Sequence, residues 1–141
     1  MPDKKHRIIL DTNVLYAGLY SSKGASFRIL RAIDAGRLRI VLSTALLFEY
    51  EDILRRHQEI LNLSNQSIEK ILDNLCLLSE HQKIYFLWRP RLPDPKDDLL
   101  LELAVAAGVK SVVTHNTADF KGSELFGVKP ITPKQMLEEI S

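Results

Sequence analysis

Along this chain, short unbroken apolar runs alternate with apolar residues spaced as on one face of a helix. RIIL at residues 7–10 predicts a buried strand ending on Asp11, and Thr12 and Asn13 then supply helix-starting chemistry ahead of Val14, Leu15 and Leu19. Phe27, Leu30 and Ile33 recur at helical spacing over 25–35, and Gly36 follows where helices commonly stop. LRIVL at 38–42 predicts a second strand, and Ser43 and Thr44 supply a cap for a helix over 45–57. Residues 64–79 form an amphipathic pattern with Ile68, Ile71, Leu72 and Leu75 on one side and a Ser or Asn cap at the start. Residues 84–88 read as a third strand, and the prolines at 90, 93 and 95 punctuate a loop. LLLELAVAA at 99–107 is apolar almost all round, as suits a helix buried between a sheet and other helices, and Gly108 is its expected stop. Residues 111–114 and 128–132 predict strands four and five, and Pro133 opens a last helix to residue 140.

Strands of this kind, separated by helices, predict a three-layer α/β/α domain around a mainly parallel sheet of about five strands. In such sheets functional groups gather beyond the carboxyl ends of the strands. Asp11, the Ser43–Thr44 turn and residues 115–119 are therefore expected along one edge.

The 141 residues suit a single domain spanning 1–141, and 45% hydrophobic with 26% charged residues excludes disordered and fibrous classes. There is no apolar run of membrane-spanning length and no apolar signal core ahead of the first strand, so a cytoplasmic location without membrane association is expected. The net charge of +1 points to no partner by bulk electrostatics. Cys76, the single cysteine, excludes an internal disulfide and reads as a small buried filler between Leu75 and Leu77.

Carboxylates occur at four telling places, each with a bland and a sharp reading. Asp11 either caps the helix that follows it or serves as a ligand. Glu49 falls near Leu46 and Ile53 at the margin of an apolar stripe, as a solvated or ion-paired residue or as a functional one. Asp97 and Asp98 precede an apolar helix, where acids favour the N-terminus by capping and dipole. With Asp94 nearby they concentrate negative charge that a cation would relieve, and Glu102, one turn on, either joins them or lies exposed. Asp119 closes VVTHNTADF, where Thr114, Asn116 and Asp119 build either a turn or a set of oxygen ligands near Asp11.

Oxygen donors without a cysteine cluster or paired histidines suit Mg²⁺ or Mn²⁺ rather than zinc, for His6, His57, His81 and His115 are scattered. A hard divalent ion held by such acids can activate water and neutralise charge on a phosphodiester during in-line displacement. No Gly-rich phosphate loop appears, which weighs against a nucleotide-binding or phosphoryl-receiving module. Basic residues cluster at 4–7, at Arg37 and Arg39, at 55–57, and at Trp88, Arg89 and Arg91. The last cluster sets a stacking face beside two guanidinium groups, as single-stranded RNA would require.

The ordered segments resemble the PIN domain family, in particular small bacterial and archaeal proteins classed as toxin components of toxin–antitoxin modules. ILDTNVL at 9–15 is similar to the family's first motif, with Asp11 as its acid and Asn13 as the accompanying polar residue. LSTALLFEYEDIL at 42–54 resembles the second, with Glu49 in the acid position. DPKDDLLLELAVAAG at 94–108 resembles the third, its register placing the acid at Asp98 with Asp97 beside it. VVTHNTADF resembles the fourth through Asp119, although several relatives carry an acid where this chain has Asn116. The resemblance implies a parallel sheet between helices and Mg²⁺- or Mn²⁺-dependent cleavage of RNA. It also implies an antitoxin protein partner and a homodimer or higher oligomer. The alternative kept open is a catalytically silent module of the same fold that binds RNA or a protein.

Overall fold

The computed structural model describes residues 6–84 and 95–141, the side chains of residues 95 and 96 excepted. Among them, five parallel strands form one sheet: β1 (His6–Leu10), β2 (Leu38–Leu42), β3 (Glu80–His81), β4 (Ser111–Val113) and β5 (Lys129–Ile131), in the order β3-β2-β1-β4-β5. The central register pairs Ile8 with Ile40 and Ile9 with Val112. Ile8, Ile9 and Leu10 are all fully buried, so β1 is covered on both faces. That is why its sequence shows an unbroken apolar run instead of an alternation.

Helices α1 (Thr12–Tyr20) and α2 (Ala25–Asp34) join β1 to β2; α3 (Thr44–Arg56), α4 (Gln58–Leu61) and α5 (Asn65–Leu78) join β2 to β3. Helix α6 (Pro95–Ala107) precedes β4, and α7 (Pro133–Ile140) follows β5. α2 and α5 pack on β2, whereas α6 lies across β1, β2 and β4. With right-handed crossovers the strand order puts α6 on the face opposite the β1-to-β2 connection, giving the three layers. Ser43 and Ser64 accept hydrogen bonds from Leu46 N and Ser67 N as helix caps, and Thr132 forms a capping box with Gln135 in front of Pro133.

The third strand is not where the apolar pattern of 84–88 places it. Strand β3 is the polar pair Glu80–His81, held against Val41 and Leu42, with Gln82 N donating to Leu42 O at 2.8 Å. Ile84 is outside any strand, and residues 85–88 lie outside the described residues, as do Trp88, Arg89 and Arg91. α6 starts at Pro95, four residues earlier than its apolar run, so Asp97 and Asp98 sit inside its first turn and not ahead of it. Helix α4, which the periodicity does not predict, ends at Asn62 in the left-handed region at φ 56°. Cys76 is half-buried rather than a core filler, and burial together with the charge of Asp73 raises its thiol pKa, which keeps it protonated.

Candidate functional site

Asp11 follows the last residue of β1, and its backbone N–H continues the ladder by donating to Val113 O at 3.0 Å. β1 and β4 are the neighbours between which the strand order reverses, the place where open α/β sheets bind ligands. Asp11 occupies the N-cap position of α1, yet its side chain closes no cap hydrogen bond. Its Oδ2 instead accepts from Thr114 Oγ1 at 2.8 Å, across the switch point, and from Asn13 Nδ2 at 3.4 Å. Oδ1 is contacted by Thr12 Oγ1 at a long 3.4 Å. The side chain is 7% exposed. Burial raises its pKa, while the hydrogen bond from Thr114 and, more weakly, the backbone amides of Asn13 and Thr12 pull the other way.

A polar web fixes this carboxylate. Thr114 Oγ1 accepts from Asn116 N at 3.0 Å and from Asn13 Nδ2 at 3.4 Å, and Asn13 Oδ1 accepts from His115 N at 3.3 Å. Asn13 and Thr114 thus contact Asp11 directly, whereas Asn116 is joined to it only through its backbone N–H on Thr114. Tyr50, on α3 and fully buried, donates its hydroxyl to Leu10 O at 2.6 Å, anchoring the backbone one residue before Asp11. Burial, with the Asp11 charge nearby, pushes the Tyr50 phenol well above its usual range, so it acts as a donor.

The other acids differ in burial and in the elements that carry them. Glu49, beside Tyr50 on α3, is half-buried. Asp97, Asp98 and Glu102 are 8%, 9% and 5% exposed, so Glu102 is buried, and burial does not distinguish Asp97 from Asp98. α6 carries all three and packs on β1 and β4, the strands that hold Asp11 and Thr114. Glu102 also lines a cleft of about 620 Å³ with Ser43, Thr44, Phe48, His81 and Lys83, beyond the carboxyl ends of β2 and β3. Asp119 lies exposed on a 3₁₀ turn, Thr117–Phe120. Among the described residues no three of His, Cys, Asp or Glu form a ready-made metal-holding group.

The basic clusters within the described residues are tied to structural partners. Arg7 binds Glu80 with Nε to Oε1 at 3.0 Å and also Ala107 O; Arg37 binds Ile140 O; Arg55 and Arg56 pair with Glu51 and Asp52. Tyr50 and Ser26 escaped the sequence reading. Tyr50 looks like one more apolar position between Leu46 and Leu54, four residues on either side, and nothing local reveals that its hydroxyl meets Leu10 O.

Asp11, with the Asn13 and Thr114 oxygens beside it, offers hard oxygen donors, the kind that can hold a divalent cation. No curated protein matches the chain. A family model described as PIN domain matches residues 7–118, taking in Asp11, Glu49, Asp97 and Asp98 and ending one residue before Asp119. With that match over most of its length, on a five-stranded parallel sheet flanked by helices, the chain belongs to the PIN domain family, whose fold is of nuclease type.

Proposed function

We propose that the chain is a Mg²⁺- or Mn²⁺-dependent endoribonuclease, the toxin component of a toxin–antitoxin pair. The observation that carries the reading is the state of Asp11: buried, at the N-cap position but not capping, and held across the switch point by Thr114. A residue needed only for helix initiation would not make its strongest hydrogen bond to a strand end 103 residues away.

In this reading Asp11, Glu49, Asp98 and Asp119 hold the ion, with Asp97 beside them. The ion supplies a water of lowered pKa and charge neutralisation on the phosphodiester. Thr114 and Asn13 occupy Oδ2 of Asp11 and so set the direction in which Oδ1 is offered. Tyr50 keeps the β1 terminus from shifting beneath it. Trp88, Arg89 and Arg91 are the proposed RNA contacts. An antitoxin or a second copy of the chain is the proposed cover for apolar side chains left in solvent, among them Leu77 on α5 at 83% exposure. No helix among the described residues is long and apolar enough to cross a membrane.

The test is metal-titrated cleavage of a mixed RNA pool. Wild type is expected to cut with Mg²⁺ or Mn²⁺ and not in EDTA, and Asp11→Asn, Glu49→Gln and Asp98→Asn are each expected to remove cleavage, with a smaller loss for Asp97→Asn. Equal rates for wild type and Asp98→Asn would refute the placement of the third acid. RNA binding by a wild type that never cuts would establish the silent module instead.

A further inference from the structure

His115 is exposed and yet held at two points. Its backbone N–H donates to Asn13 Oδ1 at 3.3 Å, and its Nε2 stands 2.7 Å from Ser26 Oγ. Asn13 in turn donates to Asp11, so the backbone of His115, though not its ring, is one hydrogen-bonded residue away from the buried acid. Ser26 belongs to the first turn of α2 and is 4% exposed. A buried hydroxyl requires a partner, and the partner here is a ring at the surface, which fixes that ring. Ordering an exposed side chain costs conformational entropy, and such pre-placement is what contact with a bound molecule exploits. The close approach of α1 to α2 at Gly18, where an added Cβ would lie 3.0 Å from Ser26 O, brings Ser26 into reach.

Ser26 Oγ and Nε2 share one proton, and the arrangement in which the hydroxyl donates it leaves a proton on Nδ1. An N–H donor fixed at that position can hold an anionic oxygen beside an acidic centre. We infer that His115 is a substrate-binding residue that donates through Nδ1 to a phosphate oxygen of RNA near the bond that is cut, with Ser26 as its positioning residue. The inference rests on the ribonuclease reading.

Steady-state cleavage of an end-labelled single-stranded RNA at saturating Mg²⁺ tests it. A hydrogen bond to a charged oxygen is worth about ten- to a hundredfold in binding. His115→Ala and His115→Gln are therefore expected to raise KM by about tenfold or more, with kcat changed less, and Ser26→Ala to raise it by a smaller factor. In parallel, the His115 ring resonances, assigned by their loss in His115→Gln, are followed by NMR in EDTA as an RNA oligomer or inorganic phosphate is added. A shift with the oligomer supports the inference. An unchanged KM with no shift overturns it, as does a loss of melting temperature and kcat together at constant KM, the mark of a mere tie between the loop and α2. If wild type cuts no RNA, the ribonuclease reading falls, and the NMR titration decides alone: a shift keeps RNA contact at His115, no shift removes it.

Discussion

Replacing Asp11 by Asn separates a metal ligand from a helix cap by stability alone. Asp11 is 7% exposed; its carboxylate accepts from Thr114 at 2.8 Å, with side-chain contacts at 3.4 Å from Asn13 and Thr12 and weaker help from their backbone amides. That is too little to offset the loss of water, so burial dominates and its pKa lies above the usual value. Asn is isosteric, and its carbonyl can keep the Thr114 and Asn13 bonds while the amide faces Thr12, whose hydroxyl can accept. Removing the buried charge is therefore expected to stabilise the metal-free protein at neutral pH by on the order of 1 kcal/mol, about 3–5 °C in melting temperature. A folded carboxyl that holds its proton to higher pH than the unfolded one makes wild-type stability fall as pH rises from the ordinary carboxylate range through the raised value, and level off above it. In Asp11→Asn that descent is absent. Mg²⁺ at about tenfold its dissociation constant adds roughly 1.4 kcal/mol to wild type, and the variant is expected to lose most of this response. The assay is thermal melting of both proteins from pH 4 to 8, with EDTA and with excess Mg²⁺. A variant destabilised in EDTA by about 1 kcal/mol, yet keeping the full Mg²⁺ response, would show that Asp11 is a cap and refute the reasoning.

Two further perturbations probe the scaffold beneath the site. Tyr50→Phe removes the buried donor to Leu10 O and is expected to cost about 1–2 kcal/mol in urea denaturation, a value below about 0.3 kcal/mol counting against the anchoring role. Gly18→Ala sets a Cβ 2.6 Å from the Leu30 Cδ1 and 3.0 Å from the Ser26 carbonyl. The side-chain end can swing away but the carbonyl belongs to the backbone. Overpacking of about 1–3 kcal/mol should then outweigh the roughly 1 kcal/mol that alanine contributes in a helix, and a net gain by the same measurement would contradict the packing argument.

Local sequence settled those features whose physics is local. Apolar runs marked β1, β2 and β4 at residues 8–10, 40–42 and 112–113, because strand segments covered on both faces need apolar residues in succession. Ser43, Ser64 and Pro133 marked helix starts because caps and first turns depend on neighbouring backbone alone. The edge holding Asp11, Thr114 and Asn116 also followed from the alternation of elements, since a parallel sheet leaves all its strand ends on one side. Strand β3 could not be read this way: Glu80 and His81 have no strand-like pattern and become a strand only because the end of β2 offers them a ladder. Nor could the sequence choose between capping and cross-strand bonding for Asp11, since that depends on Thr114, 103 residues away. Burial of Glu102, the Tyr50 bond to Leu10 and the Ser26–His115 contact join segments distant in sequence in the same way. A residue's type fixes which bonds it can make, but only the packing of helices on the sheet decides which partner comes within 3 Å or so, and whether water is left to compete.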